Sequence, residues 1–557
     1  MKKLIYIFIS LNVILLTSCG GYLDEYNPSG TTSKGFYTTQ EGADAGVKSC
    51  YTWLRQFYGV DYGFHLTELG TDLFTGANGC GAPELEYYNN SLQGTSSTID
   101  YVYRCHYYAL NTCNTVLEYL SKSNLDEETR KTREGEVRFL RALYLWQIVN
   151  QWGPSELDTV PSTTARTEAH KSSEEEIYQF IKQDLKIAVN YLPITTSEYG
   201  RATKGAAEAL SARIYLYTKE YDKAKEFATN VINNYGYRLA DTYEELCNIN
   251  TCNQSKENIF VCNFASFANN NYNESIIEGP EGNMTIHGDG GNNMHLYFVP
   301  VYDKTSDKNG QKPVSRCIEY GRPWNRFMPT YYFFTLFNEK IDSRYDDVVQ
   351  QVWLCNNATK LKNVGDTAII FTKAIIPQEI RSNTGTIIYD KNDIYGGVND
   401  GVTDRQHGPC FMKFADPTRE SVNQVPSSRD FIIIRLAEMY LIRAEAEMYL
   451  GDKVSAANDI NVIRRRAAKT GCEKEMEIRP EDVDIDFILD ERGRELSAEM
   501  QRFYDLKRTG KLVERVKQHN PDAAPNIKDY HVLRPIPQSV LDAVTNKKEF
   551  TQNNGYN

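Results

Sequence analysis

The chain has 557 residues and a formal net charge of −12, with hydrophobic residues at 41% and charged residues at 24%. Those proportions are those of a globular protein, and the negative charge, with no Lys/Arg-rich block, argues against a phosphate-backbone partner. Tyrosine is over-used: 38 Tyr beside 23 Phe and 5 Trp supply rings with an apolar body and a polar edge, suited to helix contacts and to wet binding sites.

The chain opens with Met1-Lys2-Lys3 and an almost wholly apolar run, Leu4 to Leu16. That run is too short to cross a bilayer, which takes roughly 20 apolar residues, and it has the form of a secretory h-region. Leu16-Thr17-Ser18-Cys19-Gly20 follows and resembles the bacterial lipobox. Residues 1–18 are therefore expected to be a removed signal peptide, with Cys19 carrying lipid on its sulfur.

Helical periodicity comes next. Ala43 to Phe57 and Tyr101 to Leu120 carry apolar residues at steps of three and four. Glu127 to Trp152 places Val137, Leu140, Tyr144 and Ile148 on one face, and Gly153-Pro154 stops it. Ser173 with Glu176 has capping-box spacing for a helix to Tyr191. Two helix pairs then look alike: Thr203 to Lys219 with Asp222 to Asn234, and Ile434 to Leu450 with Val454 to Ala468. In register, Tyr217 matches Tyr449 and Ala224 matches Ala456. These resemble tetratricopeptide units but are not a tandem array, because some 200 residues separate them.

The segment between, from about Ala240 to Ser428, is rich in Asn, Gly and Asp and carries short β-prone pieces such as Ile259 to Cys262 and Ala368 to Phe371. Long loops of this kind tend to be functional. Twelve cysteines, one of them Cys19, do not form a regular framework; they read as small buried residues, with room for one or two disulfides. No H-E-x-x-H, G-x-S-x-G or Walker loop is present. Asp482, Asp484 and Asp486 alternate like the start of a calcium loop, but Phe487 and Gly493 occupy positions that need glycine and glutamate. Neither a metal nor a cofactor is expected.

Ordered motifs along the chain resemble the SusD/RagB family of surface lipoproteins: Leu23-Asp24 with Pro28 after Cys19; Glu136-Val137-Arg138-Phe139-Leu140-Arg141-Ala142-Leu143-Tyr144 ending at Trp152-Gly153-Pro154; Gly200-Arg201-Ala202-Thr203-Lys204-Gly205; Arg435-Leu436-Ala437-Glu438 to Arg443-Ala444-Glu445-Ala446; Glu491-Arg492-Gly493-Arg494-Glu495; Arg502-Phe503-Tyr504-Asp505; and Pro535-Ile536-Pro537 before Gln552-Asn553-Asn554-Gly555-Tyr556. Asn554 replaces the family's usual proline.

The resemblance implies a mainly α, SusD-like fold, with tetratricopeptide-like helix pairs as scaffold and a loop-rich central region with short strands. It implies a single domain over 19–557: scaffold at 40–239 and 429–510, a ligand-binding region at 240–428, and a C-terminal segment at 511–557. It also implies an outer-membrane location facing the exterior, a SusC-like TonB-dependent transporter as partner, and capture of a glycan without bond cleavage. A peptide-binding RagB-like lid and an adhesion or assembly protein are the alternatives.

The first candidate for the binding residues is Tyr320-Gly321-Arg322-Pro323-Trp324-Asn325-Arg326. There an indole offers a stacking platform on a Gly/Pro-stiffened loop, while Tyr320, Asn325 and Arg326 supply polar edges. The competing reading packs Trp324 against Tyr331 in the core. The early loop is second: Phe74 to Asn78 with Tyr87, Tyr88 and Asn89. Tyr272, His295 and Tyr297 are third.

Overall fold

A computed structural model describes residues 37–556 apart from 163, 165, 265–275, 280–281, 286–290 and 384, with backbone alone at 276–279, 282–285 and 383. Cys19 and Tyr272 lie outside the described residues.

The long scaffold helices follow the apolar periodicity, and side-chain caps start several of them. The helices include α1 (Gln40–Thr52), α2 (Asp61–Thr67), α3 (Pro83–Tyr87), α4 (Ser97–Leu120), α5 (Glu127–Trp152), α6 (Glu174–Tyr191), α7 (Lys204–Tyr217), α8 (Tyr221–Asn234), α9 (Met294–Tyr297), α10 (Leu436–Tyr449), α11 (Lys453–Arg466), α12 (Ile485–Glu495) and α13 (Arg502–Arg508), with further short helices between and after them. Asp126 caps α5 by accepting from the Thr129 amide. Ser173 and Glu176 form the expected reciprocal box at α6. Asp484 caps α12 through the Phe487 amide, so the alternating acids serve a helix start.

Successive helices α4 to α8 pack side by side, and α8 packs on α10, which pairs with α11. The two similar helix pairs, far apart in sequence, thus meet in one layer. Ala224, Ala228 and Ala456 are fully buried, and Tyr221 stacks on Tyr449 with ring centroids 4.5 Å apart. Small residues let the backbones close up while rings fill the ends.

One boundary differs from the sequence expectation. Ile434 is not the start of a helix. It belongs to a strand, Phe431–Arg435, that pairs antiparallel with Asn258–Cys262, placing Phe431 opposite Cys262 and Arg435 opposite Asn258. The run Phe431-Ile432-Ile433-Ile434 is aromatic and β-branched, and all of it but Ile432 is buried, which favours a ladder over a helical first turn.

The strands are short. Those that matter for the site are β1 (Phe74–Gly76), β2 (Asn258–Cys262), β3 (Phe327–Pro329) and β4 (Phe431–Arg435). Around β1 and β3 lies an aromatic cluster: Phe64 stacks on Phe327 at 4.2 Å, and Phe74 meets Phe298, Phe333 and Phe411.

Several of the motif residues are buried ions. Arg435 Nη1 donates to Glu257 at 2.6 Å and to Glu495 at 2.7 Å, and its Nε reaches Glu499 at 3.0 Å. Arg344 pairs with Asp342, Glu491 and Glu495. Arg502 clamps Asp72, and Arg492 and Arg508 share Asp505. Buried charges need such full pairing to be tolerated. The eleven described cysteines are free thiols.

Candidate ligand-binding surface

The pairing of β1 with β3 sets two loops side by side. Gly76 lies opposite Phe327 and Phe74 opposite Pro329. Beyond the ladder the early loop and the tryptophan loop stay laced together. Ala77 donates its amide to the Arg326 carbonyl at 2.9 Å, and Gly79 to the Asn325 carbonyl at 2.7 Å. Arg405 ties both from a third segment: its carbonyl accepts from the Asn78 amide at 3.0 Å and from the Asn325 side chain at 2.8 Å. Asn325 adopts left-handed backbone, φ 51°, a conformation that Asn tolerates better than most residues.

The tryptophan loop is also fixed to α9. Trp324 donates to the Leu296 carbonyl at 3.3 Å and Arg326 to the Tyr297 carbonyl at 2.7 Å. Trp324 is half-buried. Its ring lies 5.7 Å from that of Tyr297, tilted by 36°. The Arg326 guanidinium sits 5.0 Å over the indole and 5.4 Å over the Tyr297 ring, and Arg326 pairs with Asp61 at the start of α2. Arg322 lies 6.0 Å over the same indole. Trp324 therefore packs with Tyr297 and two arginines; Tyr331 instead meets Tyr395 and Lys391.

Tyr62, one residue after Asp61, is half-buried and stacks on half-buried Tyr101 of α4 at 4.3 Å. The Tyr101 hydroxyl donates to Gln56 at 2.6 Å. Burial raises the Tyr297 phenol above its ordinary pKa, and the nearby Tyr62 hydroxyl adds to the rise. Trp324, Tyr62 and Tyr101 thus form an arc of half-buried rings, with Tyr297 beneath and the Arg326–Asp61 pair between. Ring faces next to fixed donors and acceptors are the chemistry that a sugar's C–H face and hydroxyls require.

The sequence candidates separate by burial. Trp324 and Arg326 lie half-buried in the arc, Asn78 is exposed at its rim, and Asn325 is the buried hinge behind it. Tyr87 is half-buried beneath Arg405, whose guanidinium is 5.5 Å over its ring. Phe74 is wholly inside the aromatic cluster and presents no face to solvent. Tyr88 is buried with φ 49°, its ring against His531 at 5.0 Å and Arg534 at 5.6 Å. Tyr320 is buried, and its hydroxyl accepts from the Leu354 amide at 3.0 Å. Tyr297 supports Trp324 from below. His295 is buried, and burial together with Arg419 pushes its pKa down to about 3, so it is a neutral ring. A large side chain beside a glycine or asparagine in sequence can point either way, and here the core claims Phe74, Tyr88 and Tyr320.

Asp61, Tyr62, Tyr101 and Arg405 were not singled out from the sequence. Tyr101 starts a helix that reads as scaffold, Asp61 and Tyr62 lie within the scaffold range 40–239, and all four join the surface through contacts distant in the chain. Among the described residues no group of three or more His, Cys, Asp and Glu is placed to hold a metal ion.

Residues 294–556 match the family described as "SusD family", and residues 22–216 match one described as "Starch-binding associating with outer membrane". The chain is 23% identical to SusD-like protein P25 of Formosa agariphila across 99% of both chains. It is 26% identical to the starch-binding protein SusD of Bacteroides thetaiotaomicron, over 88% of this chain and 85% of that one. Among solved structures it is similar to a laminarin-binding SusD-like protein, with TM-score 0.69, 22% identity, and coverage of 93% of this chain and 100% of that one. It is likewise similar to a SusD homolog from Bacteroides thetaiotaomicron, with TM-score 0.70, 20% identity, and coverage of 94% and 98%.

Proposed function

Because this chain belongs to the SusD/RagB family, we propose that it is a non-catalytic, lipid-anchored glycan-binding protein of the outer membrane. In this reading Cys19 carries the anchor and the protein faces the cell exterior. It captures an oligo- or polysaccharide and passes it to a SusC-like TonB-dependent transporter. Residues 240–428 supply the tryptophan loop, and the helices on either side of that region hold it in place.

The observation that carries the reading is the arc of Trp324, Tyr62 and Tyr101. It is held on a frame whose loops are joined largely by backbone hydrogen bonds, with the Asn325 side chain and the Arg326–Asp61 pair adding to them. Rigid positioning of rings favours recognition of a shape over bond cleavage, and pre-organisation lowers the cost of binding. Two relatives whose names specify a glucan, starch and laminarin, favour a glycan over a peptide.

Isothermal calorimetry of the soluble protein (residues 20–557) against a panel of neutral and acidic polysaccharides tests this. Saturable binding to at least one glycan is expected. Binding to oligopeptides with none to any glycan would replace this reading with a peptide-binding one.

A further inference from the structure

The tryptophan loop stands beside guanidinium groups that form no ion pair with any described carboxylate. Among the described residues, Arg322, Arg419 and Arg429 make hydrogen bonds to backbone carbonyls and no ion pair. Arg322 donates to the Asn423 carbonyl at 3.2 Å. Arg419 donates to the carbonyls of Asp416, Gln424 and Ile318 at 3.0, 3.3 and 3.2 Å. Arg429 donates to the carbonyls of Cys247 and Ala415, and its Nε has no partner. Arg419 and Arg429 are 4% and 3% exposed.

The carboxylate nearest them, Asp416, is turned to the hydroxyls of Ser427 and Thr418 and to the Thr418 amide. His295, in the same cluster, is neutral. Glu319 and Glu420, in the adjoining loops, are exposed and paired with none of the three. Arg326, by contrast, is matched by Asp61. Among the described residues Arg322 is thus the cation over the indole that has no carboxylate partner. It is half-buried, held by a backbone acceptor, and has a second unpaired guanidinium, Arg419, behind it.

Resting on the glycan reading above, we propose that the sugar unit stacked on Trp324 carries an anionic group, a uronate carboxylate or a sulfate ester, which pairs with Arg322. The guanidinium fork matches planar or tetrahedral anionic oxygens with two parallel hydrogen bonds. The buried cations behind it keep the local potential positive where the chain as a whole, at −12, repels a polyanion. A neutral hydroxyl can accept one hydrogen bond from Arg322, but only an anionic group also gains from its charge, while the loop amides and Asp61 are already engaged within the protein.

The test is calorimetry on the parent protein and Arg322→Gln with four sets of probes. These are oligogalacturonates and alginate oligosaccharides, the same oligosaccharides after carboxyl reduction, sulfated galactan oligosaccharides, and neutral β- and α-glucans. The parent is expected to bind one acidic set about tenfold or more tightly than its uncharged counterpart. Arg322→Gln is expected to bring the acidic ligand down to the affinity of that counterpart while its melting temperature stays unchanged. The carboxylated and sulfated sets separate the two anion sources. Binding of neutral glucans alone, or equal affinity for acidic and reduced oligosaccharides, overturns the proposal and leaves the glycan reading standing. No binding to any of the four sets overturns both, as does binding of acidic peptides alone.

Discussion

Gly79 and Trp324 meet with no space between them: a Cβ built on Gly79 would lie 2.5 Å from the Trp324 carbonyl oxygen and 2.9 Å from that of Asn325. The contact is backbone against backbone, so no side-chain rotation relieves it. It is the point where the early loop fixes the height and tilt of the indole.

Gly79→Ala should therefore push the two loops apart. Overpacking of this sort costs about 1–3 kcal/mol, so a melting temperature a few degrees lower is expected. With it goes at least a tenfold loss of glycan affinity, because the ring leaves its place beside Tyr297. Affinity electrophoresis and thermal unfolding on one preparation would check this. A variant that unfolds earlier yet binds unchanged would separate the glycine from the site.

The buried ion network makes stability fall in acid. Glu495 is held down at about 2 by Arg466, Arg435 and Arg344, whose attraction outweighs the upward effect of burial. Glu491 lies well below its ordinary value because Arg494, Arg344 and Arg464 do the same. A depressed carboxyl contributes stability above its unfolded pKa, near 4.5, and loses it as pH falls towards the folded value. The melting temperature should drop steeply between about pH 4.5 and pH 2. Arg435→Ala removes one cationic partner from each of Glu257, Glu495 and Glu499, which keep Arg466, Arg344 or Lys413, and breaking a buried pair costs about 3–5 kcal/mol. Denaturant titration should show that loss, and an Arg435→Ala protein of parental stability would contradict it.

Glu68 has the opposite sign. Burial raises its carboxyl to about 8, although the Arg502 and Gln501 amides pull it down. Its Oε1 accepts from both amides, and its Oε2 has no partner. The native state keeps the proton, so stability from this group is fully present below about 4.5 and is lost as pH rises towards 8. Glu68→Gln keeps the acceptor and removes the ionisation. It should match the parent at pH 4.5 and become progressively more stable than the parent between pH 5 and pH 8. Melting curves across that range decide it; a glutamine variant less stable at pH 8 would show that Glu68 is needed as a charge.

Cys19→Ala should release the protein from membranes while leaving ligand affinity unchanged. Fractionation of cells expressing the parent and the variant measures the first, and calorimetry the second. A variant that still pellets with membranes would mean that something other than lipid on Cys19 holds it there.

The helical frame was legible because its signals are local. The Asp126 and Ser173 caps, the Gly153-Pro154 stop and the period of Val137, Leu140 and Tyr144 each act within a few residues. Ile434 was misplaced because a β-branched run beside a helix shows only in three dimensions that it pairs with Asn258–Cys262. The candidate surface was half legible. Trp324, Arg326 and Asn78 stand out through loop composition. Tyr62 and Tyr101 do not, since a tyrosine on an amphipathic helix looks the same whether it faces a core or a ligand. Phe74, Tyr88 and Tyr320 show the reverse: aromatic residues in a polar loop that the core recruits.

The central claim is that the arc around Trp324 holds a glycan, and substitution of that ring tests it most directly. Calorimetry should be run with the best ligand of the panel on the parent, on Trp324→Ala, and on Trp146→Ala as a control that removes a buried indole packed on Tyr217 and Tyr504, away from the tryptophan loop. Central aromatic anchors are typically worth about 2 kcal/mol or more. Trp324→Ala should therefore weaken binding by about thirtyfold or more while its melting temperature changes little; Trp146→Ala should lower the melting temperature and leave the affinity of the folded fraction intact. Undiminished glycan affinity in a folded Trp324→Ala protein would contradict the account.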